Sequence, residues 1–538
     1  MSRPLKTCLW LVWVLAVALP WTGLLPWRAF SITAGASLIL LAAVLAFSPA
    51  GARAAEETAQ GLDALDPERT AWLLAALFFV WLASLKLCQY ASFQSHYGDL
   101  GQDANICWNT LHGRFFFDSL TGANFLGDHF EPVLALCALA FKLWPSAAAL
   151  LLIQCLALAL AVVPLAALAR RHCRHNAFVL AVLVLFILNP YLHLVSEFDF
   201  HPEALFIPAA LWALLFWEQG RPALAGLVAL LCLGLKEDVP LALAGFGLYA
   251  AWFRGKKSGW ALAAAAVAAF AVIALGAIPH FAGSQVSVHH DRYASLGAST
   301  AEMIRNIAWR PWVVPLRLLR PHVLLTAAAL LGSVGFLPLA APAALVAVLG
   351  ACLHHLLSDY RAQYGLISQY SAQTVPFLFY AALKGLAVTE ERLWAKKARL
   401  AAGFLFLCGA ASAFQPYYTG PFKWRDVLEA ARLVRQVPDH ASLGTDGRCG
   451  RGREDLLPHL ALRGELARLD MSEPFKEPSA ECVLLDPQRA AEFSVFLART
   501  GRFARRGAGD GLELWCRLED HRKIAARDDT PALRRLRS

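Results

Sequence analysis

Apolar runs of about the length a helix needs to cross a bilayer recur along the first 415 residues, separated by short polar interruptions. Their spacing predicts about 13 spans, near 7–27, 30–48, 71–92, 148–168, 177–191, 203–217, 222–235, 238–253, 259–280, 322–336, 338–356, 372–388 and 398–415. The segment 132–144 is apolar but too short to cross and is broken by Pro145, so it reads as a helix lying along the membrane surface. After residue 416 the period changes. There "KWRDVLEAARLVRQV" is an amphipathic helix, "ECVLLD" a short buried strand, "QRAAEFSVFLARTG" a second helix and "FARRGAGDGLELWCRL" a hairpin turning at Gly507–Gly511. The expected fold class is a polytopic α-helical membrane protein with a small C-terminal α/β soluble domain. Its expected parts are N-terminal spans (1–92), a first large loop with surface helices (93–147), a transmembrane bundle (148–415) and the α/β domain (416–538).

Composition supports this division. The 538 residues are 58% hydrophobic and 17% charged, with mean hydropathy +0.48, too apolar for a soluble chain of this length. Residues 416–538 nevertheless hold 22 of the 49 Lys/Arg and 19 of the 40 Asp/Glu, so this tail does not lie in the bilayer. The net charge of +9 is spread over both parts, with no concentrated basic patch, which argues against nucleic-acid binding. The apolar start "MSRPLKTCLWLVWVLAVALP" is either a signal peptide, for which Ala16 and Ala18 together offer a cleavage site, or, the favoured reading, an uncleaved first span. Nine of the twelve cysteines lie in or beside apolar runs without CxxC spacing and read as packing residues.

Sidedness changes the picture further, because Lys and Arg in short loops stay cytoplasmic. Arg3 and Lys6, "RRHCRH" at 170–175, "RGKK" at 254–257 and "ERLWAKKAR" at 391–399 all fall on one side of the span list. The exception is the long loop 281–321, which carries five arginines and falls outside. The same list puts Asp99 and Asp103, "GDHFEP" (127–132), "EFDFHPE" (197–203), "KED" (236–238), "HHDRY" (289–293), "HHLLSDYRAQYGLISQY" (354–370) and the tail on the opposite, extracytoplasmic face. There Cys449, Cys482 and Cys516 would meet an oxidising compartment, which permits one disulfide among them and leaves one thiol over.

Ionisable residues at membrane depth are costly and mark candidate sites. Asp99 and Asp103, four apart, would repel on one helix face unless a cation lies between them or one holds a proton; the plainer alternative is an acidic first helical turn. Asp128, His129 and Glu131 offer ligands or acid-base groups, or an ordinary polar turn ended by Pro132. Asp199, His201 and Glu203 precede an apolar helix and are a binding group or a cap. Lys236, Glu237 and Asp238 interrupt a continuous apolar run: either an internal ion pair joins two half-length helices, or Lys236 meets a phosphate. Asp359, Tyr360, Arg361, Gln369 and Tyr370 mark a span entrance, where an arginine with aromatics suits a pyrophosphate or a sugar and tyrosines also form interfacial belts. No GxxxxGK[ST], GxGxxG opening a helix, HExxH or GxSxG occurs, and no repeated half is evident.

In order, "YGDLGQDANICWNTLHGR", "LGDHFEPVLAL", "FDFHPEAL", "LKEDVPL" and "LLSDYRAQYGLISQYSAQTVPFLF" resemble the signature segments of a family of bacterial predicted membrane proteins whose first outer loop typically reads YDLG. The likeness runs from about 90 to 390 and is weaker around "LLPHLALRGEL" and "CVLLD" in the tail. This chain has an extra glycine in "YGDLG" and two spans before the usual first one. The family's layout is similar to that of the C-type (GT-C) glycosyltransferases, which take a sugar from a polyprenyl-phosphate carrier on the outer face of the membrane. What the resemblance implies is an inner-membrane, multi-pass glycosyltransferase-like protein acting on an envelope lipid or glycan, with an acidic residue of the first outer loop at the acceptor or on a metal. Asp99 holds that position, with Asp103 second. Lys236 and Arg361 are candidates for the leaving phosphate, His129, Glu131, Asp199, His201, Glu237, Asp238, Gln369 and Tyr370 for substrate contacts, and Asp128 with His129 for a divalent cation, magnesium or manganese. The expected partners are the bilayer and a lipid-linked sugar donor. A transporter or flippase, or a non-catalytic scaffold, is the competing expectation.

Overall fold

The computed structural model describes residues 3–23, 27–95, 98–283, 290–413, 424–439, 441–445, 456–469, 475–486, 490–509 and 512–518. Four of its helices are long and apolar enough to cross a membrane: Pro67–Ala91, Ala148–His172, Asn176–Glu197 and Lys257–Ala282. A fifth is added if Ser31–Phe47 and Pro49–Asp63, bent by 107°, count as one broken span. Five further apolar helices, Pro222–Cys232, Val239–Arg254, Pro321–Gly332, Pro342–Leu357 and Arg399–Ser412, are shorter. Among the described residues fewer helices reach full span length than the 13 spans that hydropathy predicts, because several apolar runs are divided into shorter helices that begin at prolines or after the 236–238 interruption.

Local chemistry sets these ends. Asp66 caps Pro67–Ala91 by accepting the N–H of Glu68 at 3.0 Å, with proline at the first helical position. Within Asn176–Glu197, Pro190 lacks an N–H to continue the ladder, and buried Asn189 restarts it by accepting the N–H of Tyr191 at 3.0 Å. Between helices, small residues allow backbones to touch: a Cβ on Gly245 would lie 2.4 Å from the Gly350 Cα, where Val239–Arg254 crosses Leu345–Leu357. Association in lipid relies on such close packing, since apolar burial gives helices no preference for each other over lipid. The apolar segment expected to lie on the surface folds as the short helix Leu134–Cys137 followed by a 3₁₀ stretch, leaving Leu136 and Leu143 exposed.

The chain beyond Trp424 forms a five-stranded mixed sheet. With β1 (Phe117–Asp118) and β2 (Ala123–Asn124) forming a small hairpin in the first loop, its strands are β3 (Leu443–Thr445), β4 (Leu466–Arg468), β5 (Cys482–Leu485), β6 (Phe503–Gly509) and β7 (Leu512–Arg517), in the order β4-β3-β5-β7-β6. β3 is parallel to β4 and β5, while β7 is antiparallel to β5 and β6. All four residues of β5 are buried. Cys482 and Leu484 pack with Leu433 of the Trp424–Gln436 helix, and Val483 and Leu485 with Phe493 of the Ala491–Thr500 helix. Cover on both faces accounts for an unbroken apolar strand. Gly507 lies inside β6 beside a register shift rather than opening the turn, and residues 510–511 between the strands lie outside the described residues. Cys482 and Cys516 are disulfide-bonded across β5 and β7, and Cys449 lies outside the described residues.

Candidate functional site

Six stretches far apart in sequence surround one cavity of about 750 Å³: Asp99–Asp103, 125–131, 198–203, 236–241, 292–296 and 354–373. Apolar side chains, among them Phe270, Ile278 and Ile304, also line it. Most of the polar residues singled out in the sequence meet here.

Asp99 is the first residue of the Asp99–Leu111 helix, at the positive end of the helix dipole, and lines the cavity. The His201 Nε2 stands 3.6 Å from its Oδ2. Burial pushes the Asp99 carboxyl up, but His201, with His129 and Lys236 behind it, outweighs burial and holds it below the usual carboxylate range. Burial pushes His201 down, and Asp99, Glu203 and Asp103 more than reverse this, raising it to about 9. One turn on, Asp103 is buried, and burial together with the Glu131 charge drives it well above the usual range. The i,i+4 pair is thus pushed in opposite directions, which eases the repulsion expected of two like carboxylates.

The helix carrying this pair is clamped by the C-terminal region. A Cβ on Gly101 would lie 2.6 Å from Leu457 Cγ, so only glycine allows the Leu457–Leu460 helix to sit so close. Asn105 Nδ2 donates to the carbonyls of Ala461 and Arg463, each at 2.9 Å.

In "FDFHPE" the roles divide differently from expectation. His201 and Glu203 line the cavity, whereas Asp199 is not among its lining residues. Asp199 is fully buried and bonded to Lys86 Nζ at 3.1 Å, with the same ammonium donating to the Glu197 carbonyl at 2.8 Å. Asp199 takes a left-handed φ of 44°, which aspartate tolerates better than most residues. Gln154 binds this turn from the other side, donating to the Asp199 carbonyl and accepting the N–H of His201 at 2.9 Å. Lys86 and Gln154 thus fix the turn that presents His201.

The three residues of the 236–238 interruption take three separate partners. Lys236 bonds Glu131 at 2.5 Å and lies 3.4 Å from Glu203. Glu237 bonds His129 Nδ1 at 2.9 Å and accepts the N–H of Phe130 at 3.1 Å. Asp238 bonds His354 Nε2 at 3.0 Å and also accepts from Gln373 Nε2. Lys236 is thus ion-paired chiefly with acids of other segments, with the adjacent Glu237 farther off at 4.0 Å.

Gln369 and Tyr370 line the cavity, but Arg361 does not; it is exposed at the start of the short Arg361–Tyr364 helix. The arginine among aromatics is Arg292, whose Nη1 donates to the Tyr370 hydroxyl at 3.2 Å and whose guanidinium lies 5.1 Å from the Tyr360 ring centre. Asp128 and His129 also line the cavity, yet the group with metal-ligating spacing among the described residues is Asp238, His354 and His355. His129 is instead engaged by Glu237. Sequence reasoning missed Lys86, Gln154, Arg292, His354, His355 and Gln373 as individual residues. Lys86 could have been found as a charge inside an apolar run, and His354–His355 as a polar end to one.

An apolar multi-helix bundle with a polar chamber at one end defines a membrane protein with a candidate active site. The chain belongs to the predicted membrane protein family DUF2079, whose model matches residues 89–495. Its structure is similar to the crystal structure of ArnT from Cupriavidus metallidurans in the apo state, with a TM-score of 0.46 and 11% identity over 83% of this chain and 98% of that one. No curated protein matches the sequence.

Proposed function

We propose that this protein is a glycosyltransferase that moves a sugar from a polyprenyl-phosphate donor to an envelope lipid or glycan on the extracytoplasmic face of the bacterial inner membrane. The observation that carries the reading is the cavity itself, in which Asp99, held below the usual carboxylate range, shares the lining with Lys236, Arg292 and apolar side chains. In the reaction, the acceptor hydroxyl gives its proton to Asp99 as its oxygen bonds the anomeric carbon. The bond from that carbon to the phosphate oxygen breaks, and its electron pair leaves with the lipid phosphate. Lys236 and Arg292 are placed to meet the phosphate charge, and the Phe270, Ile278 and Ile304 side chains suit an isoprenoid chain. His201 holds Asp99 ionised.

The extracytoplasmic placement draws support from the Cys482–Cys516 disulfide, since such bonds persist in oxidising compartments. It also draws support from the meeting of the basic loops away from the cavity, where Arg174 pairs with Glu391 and Arg171 donates to the Glu218 carbonyl. The test is Asp99→Asn expressed in place of the native chain, with the envelope lipids and glycans profiled by mass spectrometry. The sugar-bearing product should fall by about 10²- to 10⁴-fold, the worth of a general base, while the purified protein melts as before. An unchanged profile overturns the proposal.

A further inference from the structure

We infer that Asp238, His354 and His355 form a binding site for one divalent transition-metal ion, of the zinc or manganese class, in the cavity wall. Asp238 stands at the break before the Val239–Arg254 helix, and the two histidines close the last turn of the Leu345–Leu357 helix. Consecutive helical residues ordinarily point about 100° apart. Here both imidazoles reach one carboxylate oxygen, with Nε2 atoms 3.0 Å and 4.0 Å from the Asp238 Oδ2 and ring centres 3.8 Å apart.

The ligand atoms of the three residues lie within 4.8 Å of one another. Ligands in a tetrahedral shell at about 2.1 Å lie about 3.4 Å apart, so the three atoms converge on one ion once the widest pair draws in. A simple helix C-terminus with one His354–Asp238 hydrogen bond leaves His355 unexplained. Its ring is buried and faces the same oxygen from beyond hydrogen-bonding distance. Gln373, bonded to the other Asp238 oxygen, holds the carboxylate in position as the outer partners of metal ligands do.

Charge favours a cation as well. Seven carboxylic acids line the cavity against three cations, Lys236, Arg292 and His201 with its raised pKa. Two imidazoles with one carboxylate suit zinc, manganese, iron or cobalt, whereas magnesium prefers an all-oxygen shell. The site is argued independently of the glycosyltransferase reading. Only its use, polarising the lipid phosphate from the open coordination positions, rests on that reading.

The experiment uses the full-length, tag-free protein in detergent, stripped with EDTA and reloaded with Zn²⁺ or Mn²⁺ alone, with metal content and affinity measured by mass spectrometry and equilibrium dialysis. One ion per chain is expected, with His354→Gln and His355→Gln each weakening binding at least about tenfold and Asp238→Asn more. A wild-type chain that retains no ion overturns the inference, whatever the variants do. Undiminished binding in the His354→Gln/His355→Gln double variant also overturns it, as does binding lost on His129→Gln and kept in that double variant. Metal content that follows these substitutions, in a protein with no glycosyl transfer, would sink the reaction and leave the site standing.

Discussion

The two ends of the bundle use the same residue types to opposite effect. The Asn176–Glu197 helix begins beside His175 and ends just before the His201 turn, and Thr374–Trp394 begins at Gln373 and ends near Glu390. At the His175 end, Glu390 accepts the N–H groups of Arg174 at 2.7 Å and His175 at 2.8 Å, and His175 stacks on Trp394 at 3.8 Å. Glu218 there bonds Lys384 at 2.7 Å and the Tyr380 hydroxyl. At the His201 end, acids outnumber cations around open space, and among the described residues one buried side-chain oxygen each of Glu203, Gln369 and Gln373 lacks a hydrogen-bond partner. At the His175 end the acids are paired with cations and N–H groups, and among its described residues the His172 Nε2 is buried without a hydrogen bond; surplus charge and several unsatisfied atoms around a void mark a site that takes a ligand.

The largest expected change in stability breaks the support beneath the cavity. Lys86→Met leaves Asp199 buried without its cation, which costs about 3–5 kcal/mol. Thermal melting of the solubilised protein should show this as a loss of several degrees, partly recovered in Lys86→Met/Asp199→Asn. A single variant that melts like wild type would remove Asp199 from the scaffold.

A pH series sharpens the Asp99–His201 pair. His201 rises from its ordinary 6.5 to about 9 in the folded chain, so the protonated ring contributes stability fully below pH 6.5 and loses it as pH rises through 9. The stability gap between wild type and His201→Gln should be about 3 kcal/mol at most, level on the acid side and closing between those limits. A gap that widens toward alkaline pH would reverse the assigned polarity of the pair.

The other end supplies the control. Glu390→Ala strands two backbone N–H groups and should cost about 1–3 kcal/mol in melting, with product formed per folded molecule unchanged. A loss of product matching that of Asp99→Asn would erase the distinction between the two ends.

Much of this contrast was legible in sequence, because a polar interruption of an apolar run is costly enough to stand out. The 99–103, 127–132, 197–203, 236–238 and 354–370 segments all contribute to one cavity for that reason. The strand in "ECVLLD" was legible because burial on both faces demands an unbroken apolar run. Assignment within a cluster was not legible. Asp199 turns inward because Lys86 waits 113 positions earlier in the chain, and nothing local to "FDFHPE" distinguishes it from His201. The arginines of loop 281–321 were an exception to sidedness, and part of the reason is tertiary: Arg317 and Arg320 pair with Asp359 at 3.1 Å and 3.3 Å.

The smallest effect is expected at Arg361, and it separates sequence context from geometry. Both Arg361 in "DYRAQY" and Arg292 in "HHDRYA" sit beside tyrosines, but only Arg292 reaches Tyr370 and the cavity. Arg361→Ala removes an exposed side chain and should change stability by no more than about 0.5 kcal/mol, with product formation close to wild type. Arg292→Ala takes a cation from the cavity wall and should cut product formation at least about tenfold, since a charge aimed at a leaving group acts mainly in the transition state. Equal losses in the two variants would mean that the loop carrying Arg361 closes onto the donor, returning that residue to the site from which the structure excludes it.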